Sequence, residues 1–95
     1  MPTYKPGQSV AVRCKAQPGA FPGEYLVTVP TTEGVVSGFA RSSDMIATKE
    51  LRAKVQSKTA TSLLVWLSGS FFTTNGLAEL TNDWARDNVR SLSTA

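Results

Sequence analysis

Cationic side chains alternate with apolar ones in two stretches of this 95-residue chain: Arg13 and Lys15 among Val12, Cys14 and Ala16, and Arg52 and Lys54 among Leu51, Ala53 and Val55, with Lys58 just beyond. Such rows can hold phosphates or other polyanions, and they serve equally as a solvated face that discourages edge-to-edge aggregation. Other chemistry is sparse. The chain has no histidine, so the commonest general base and the usual catalytic metal ligand are missing. Cys14 is the only cysteine, which excludes an intramolecular disulfide and a multi-thiolate zinc site, and its parity with Val10 and Val12 predicts burial as a small hydrophobe. Glu33, Asp44 and Glu50 fall in or near predicted loops, where they read as solvated acids, and Glu50 would dilute any basic patch beside it. No catalytic residue, metal or cofactor is expected, which makes this a binding module and not an enzyme.

Charge is unevenly spread. Residues 1–60 carry a net +4 and residues 61–95 a net −1, within an overall +3. That balance is compatible with a polyanion partner without requiring one. Hydrophobic residues make up 41% of the chain, the longest large apolar run is residues 63–67, and a membrane-spanning helix needs roughly 20 such residues. No membrane association is expected. The first thirty residues lack the apolar core of a secretory signal, and with a single thiol a reducing, cytoplasmic setting is the expectation.

The elements that must position these side chains are predicted to be short strands in one domain, 1–95. Val10, Val12, Cys14 and Ala16 alternate with Ser9, Ala11, Arg13, Lys15 and Gln17 as one first strand. Pro18-Gly19 and Pro22-Gly23 bracket a loop. A second strand has Tyr25, Val27 and Val29 on one face and ends at Pro30, which lacks a ladder N–H. In a third, residues 35–41, Ser37, Phe39 and Arg41 share a face, and Ser42-Ser43-Asp44 can cap a short turn or helix. Leu51, Ala53 and Val55 mark a fourth strand with a cationic outer face. Residues 61–67 make a fifth, apolar on both parities and so predicted to be covered on both sides. Asn75-Gly76 is a strong hairpin signal, predicting an added hairpin over 69–80. A C-terminal helix over about 82–92, capped by Thr81 or Asn82, would carry the apolar stripe Ala85, Val89 and Leu92 beside Trp84. The fold class is mainly β: a small five-stranded barrel, oligonucleotide-binding or Src-homology-3-like, with its core at about 7–68, plus the hairpin and one short α-helix.

The run Gly38-Phe39-Ala40-Arg41-Ser42-Ser43-Asp44-Met45 resembles the third-strand signature of the S-one RNA-binding domain, the oligonucleotide-binding barrel repeat of the largest bacterial small-subunit ribosomal protein. Gly7-Gln8 before the first strand, Gly19-Ala20-Phe21 after it, and the fourth and fifth strands follow the same order, so the resemblance covers residues 7–68. Pro22-Gly23 departs from the pattern and puts Phe21 in a loop. The resemblance implies single-stranded RNA or another nucleic acid as partner. Phe39 and Arg41 would then lie on the outward face of the third strand, to stack a base and meet a phosphate, with Arg13, Lys15, Arg52 and Lys54 as a basic patch on neighbouring strands. Burial of Phe39 in the core is the competing reading of its type. The other functional class is a protein-interaction module or homodimer, using Phe72, Trp84 and the C-terminal helix.

Overall fold

The computed structural model describes residues 4–71 and 76–92. The chain is mainly β with one helix, and its strands form two sheets that do not close on themselves. Strands β1 (Ser9–Arg13), β6 (Glu50–Lys58), β7 (Ser62–Leu67), β9 (Leu77–Thr81) and β10 (Val89–Ser91) lie in the order β10-β1-β6-β7-β9, with β5 (Met45–Ala47) also paired to β6. Strands β2 (Lys15–Pro18), β3 (Glu24–Thr31), β4 (Gly34–Arg41) and β8 (Ser70–Phe71) form the second sheet, in the order β2-β3-β4-β8. Both contribute to one core: Val10, Val12, Leu51, Val55, Leu63, Val65 and Leu80 from the first, Val27, Val29 and Ala40 from the second. Among the described residues no helix is long and apolar enough to cross a membrane.

The period-two alternation over residues 10–16 holds, but it spans two strands and not one. Val10 and Val12 pair with β6 and β10 in the first sheet, whereas Ala16 pairs with Val27 in the second. The crossing point is Cys14, buried, whose N–H donates to the Lys49 carbonyl at 2.8 Å. Alternation fixes which side chains face inward and is blind to a change of partner strand. The second strand runs past Pro30 to Thr31. Because β2 covers β3 only from Tyr25 to Thr28, Pro30 stands where a missing N–H has no β2 partner to lose.

Strands β3, β4 and β6 keep the expected facing. In β7 Leu63, Val65 and Leu67 are buried, while on the other face Ser62 is buried, Leu64 half-buried and Trp66 42% exposed, so the second face is covered only in part. Residues 72–75 of the hairpin expected over 69–80 lie outside the described residues, and its described strands do not pair with each other. β8 pairs with β4 (Gly38↔Phe71, Phe39↔Ser70) and β9 with β7, so the two halves enter different sheets. Two glycines permit this crossing. A Cβ on Gly38 would sit 2.6 Å from Phe71 Cα and closer still to the Ser70 carbonyl oxygen; Gly69, with φ +101°, lets the chain turn out of β7 against the Phe39 carbonyl.

The helix α1 spans Asn82–Asn88, shorter than its stripe suggested. Its cap is Thr81, whose Oγ1 accepts from the Trp84 N–H at 3.2 Å. Val89 leaves the helix to pair with Val12 as β10, and tertiary pairing thereby outweighs the helical spacing of Ala85, Val89 and Leu92. The Asn82 side-chain amide donates to the Ala60 carbonyl at 3.0 Å and its backbone N–H to that of Thr61, which ties α1 to the turn between β6 and β7.

Candidate functional site

Antiparallel register arranges the outer face of the second sheet in rows. Gln17, Leu26, Phe39 and Ser70 form one, Lys15, Thr28 and Ser37 the next, and Glu24 stands opposite Arg41 at the end. Phe39 is therefore on the outer face, 39% exposed, and the reading that buried it in the core does not hold. Arg41 is exposed two residues along the same face, while its backbone N–H donates to Asp44 Oδ2 at 3.0 Å and so closes a 3-10 turn, Ser42–Asp44.

Phe21 lies in the β2–β3 loop, as Pro22-Gly23 requires, and is 70% exposed. That loop is fixed by three backbone bonds: Gly19 N–H to the Glu24 carbonyl, Glu24 N–H to that of Phe21, and Ser42 N–H to that of Gly23. The last brings the loop to the end of β4 that bears Arg41. Two exposed aromatics and a cation thus gather at one end of the second sheet.

No protein-family model matches this chain, and no curated protein or solved structure does so either.

The basic residues divide between the sheets. Arg13, Arg52 and Lys54 share the outer face of the first, where β1 and β6 are neighbours as expected, with Ser9, Lys54, Trp66 and Leu77 in one row. Lys15 belongs to the second sheet, because the chain changes sheets at Cys14. Lys58 is also displaced: the register shifts between Val55 and Ser57, so Lys58 stands opposite Leu63, a residue of the buried parity. The five cations do not form one patch. They share something else. Among the described residues the ion pairs involve only Arg86 and Arg90 as cations, so none of the eight basic side chains of residues 1–60 is in an ion pair there.

Glu50 does not dilute the basic face as expected, because it is already occupied: Arg90 Nε and one terminal nitrogen donate to its two oxygens at 2.8 and 2.9 Å. That bond, helped by the charges of Arg90 and Arg13, holds the Glu50 carboxyl below its ordinary value. Burial, then the Glu50 charge, pushes the Cys14 thiol up to about 11, so it is protonated and inert at neutral pH. Trp84 is half-buried against the core and lines a cleft with Arg13, Lys15 and Lys49. Phe72 lies outside the described residues. Sequence reasoning passed over Lys49, which sits in a turn outside any alternating run, and no local signal marks it.

Proposed function

We propose that this chain is a small, non-enzymatic binding module that carries a single nucleic-acid strand across the outer face of β3 and β4. The observation that carries the reading is the grouping of Phe39, Arg41 and Phe21: two exposed rings to stack bases and a cation with no ion pair among the described residues to meet a phosphate. The strand pairing supports the barrel it would sit on. With β1 and β2 taken as one bent strand and β7 and β8 as another, pairing runs β1/β2, β3, β4, β7/β8, β6 and back to β1, the circuit of a partly open Greek-key barrel. The connection through α1 supports it too. In a flat sheet Thr81 and Val89 would lie at opposite corners, roughly 30 Å apart, yet the helical step between them covers only about 12 Å. The first sheet is strongly coiled. A free, buried thiol suits the reducing, cytoplasmic setting that belongs to this reading.

Titration with short single-stranded RNA at several salt concentrations tests it. Arg41→Ala weakens binding and makes the slope of log affinity against log salt shallower by about 0.7, one phosphate contact on a single strand. Phe39→Ala weakens binding by about 1–3 kcal/mol and leaves the slope unchanged, since stacking releases no ions. Absence of binding near about 50 mM salt, or equal slopes in both variants, overturns the reading in favour of a protein-interaction module.

A further inference from the structure

A cleft of about 350 Å³ opens where β1 passes into β2, away from Phe39 and Arg41. Arg13, Lys15 and Lys49 line it, together with Trp84, Pro30 and Val35, and no carboxylate among the described residues does. Among the described residues none of the three cations is in an ion pair. The acid that faces Arg13 across β1 and β6, Glu50, is held by Arg90 in a two-point bond. Three positive charges have therefore converged on one concavity, and of them only Arg13 feels an acid, the charge of Glu50, from outside the cleft lining. Its size falls in the range of roughly 300–1,000 Å³ typical of small-molecule sites.

Each half of the lining selects part of a ligand. The cations need an anion of more than one charge that can take several donors, and a phosphate meets this with three acceptor oxygens. Trp84, Pro30 and the 66% exposed Val35 give the rest of the lining an apolar character, and an aromatic and a proline ring there suit a planar ring in the ligand. Phosphate and ring must be joined within one short molecule to occupy both.

We propose that this cleft binds a nucleoside phosphate, with the phosphate among Arg13, Lys15 and Lys49 and the base against Trp84, Pro30 and Val35. The site stands on its own observation and does not depend on a strand crossing β3 and β4. The moiety can come from a free nucleotide or from the phosphorylated end of a strand, and both offer the same chemistry to the cleft.

The chain holds two tryptophans, so Trp66→Phe leaves Trp84 as the sole reporter, inside the cleft. Titration of that variant with adenosine 5′-monophosphate gives a saturable change in Trp84 emission, and adenosine or inorganic phosphate alone binds at least about tenfold more weakly. Lys15→Ala with Lys49→Ala lowers affinity for the monophosphate at least about tenfold, with the melting temperature of these exposed-site variants near that of the parent. Lys5→Ala, which removes an exposed cation outside the cleft, leaves it unchanged. A 5′-phosphorylated oligonucleotide that displaces the monophosphate, where its 5′-hydroxyl counterpart does not, makes the strand end the source; displacement by neither makes it the free nucleotide. Emission indifferent to millimolar monophosphate, undiminished affinity in the double-lysine variant, or an equal loss of affinity on Lys5→Ala overturns the proposal.

Discussion

Gly38→Ala sets two effects of opposite sign against each other. Gly38 has no positive φ, so alanine can adopt its backbone conformation, and the lost freedom of the unfolded chain alone would stabilise the protein by about 0.4–1 kcal/mol. Against this, the new methyl group would stand 2.6 Å from both Phe71 Cα and Phe71 Cγ, where carbon atoms rest at about 3.5–4.0 Å. Strand β8 has to withdraw by about 1 Å, and because part of the obstruction is backbone, a change of side-chain rotamer cannot relieve it. β8 is held to β4 through only two register pairs, Gly38↔Phe71 and Phe39↔Ser70. Losing two ladder bonds at about 0.5–1.5 kcal/mol each exceeds the entropic gain, leaving a net destabilisation of about 1–2 kcal/mol. In a chain of this length that lowers the melting temperature by roughly 5–15 °C. Thermal unfolding followed by circular dichroism measures it. A variant that melts at or above the parent temperature refutes the reasoning, because it would mean that β8 does not lie on Gly38.

Glu50→Gln reduces the pH dependence of stability. The folded carboxyl titrates below its ordinary value, so its contribution is complete above about pH 5 and is lost as pH falls through the lower, folded value; urea midpoints between about pH 3 and 6 should fall less in the variant than in the parent. Cys14 is buried with its thiol raised to about 11, and it stays unmodified by iodoacetamide at about pH 8 until urea unfolds the chain; modification at the rate of a free thiol would put it on the surface. Asn82→Ala removes the amide that bonds the Thr59 and Ala60 carbonyls at 3.4 and 3.0 Å and costs about 0.5–1.5 kcal/mol, read as a lower urea midpoint; no change would mean that α1 does not brace the β6–β7 turn.

Local pattern carried most of the facing and little of the pairing. Tyr25, Val27 and Val29, then Leu51, Ala53 and Val55, then Leu63, Val65 and Leu67 read directly as inward rows, because a half-buried strand writes its burial into every second residue. A strand that changes sheets at Cys14 keeps that same period, so its break is silent. Asn75-Gly76 signals a hairpin by its local turn preference, yet Phe71 pairs with Gly38, far back along the chain, and Leu77 with Trp66 of β7, in a different sheet. Val89 fits a helical stripe and a strand equally well until Val12 is placed beside it. For the candidate site, the shared face of Phe39 and Arg41 was legible. The displacement of Lys58 by the register shift after Val55, the convergence of Lys49 with Arg13 and Lys15, and the pinning of the Phe21 loop to Ser42 were not. Each of these depends on residues brought together by the fold and separated in sequence.

The neighbouring positions of β1 and β10 have a mechanical consequence. They are antiparallel, with Val10 opposite Ser91, and the ends are further joined by Gln8 Nε2 to Ser91 Oγ at 2.8 Å and Leu92 N–H to the Ser9 carbonyl at 3.1 Å. A pull on residues 4 and 92 therefore meets these bonds one at a time, as a zip, and not all together in shear. Under tension between its ends the domain opens first at β10, and the exposed edge of β1 then presents Val10, Ala11 and Val12 while the β6–β7–β9 pairing is still intact. If the chain is ever drawn from both ends, the seam beside β1 gives way first, at a force set by a three-residue strand.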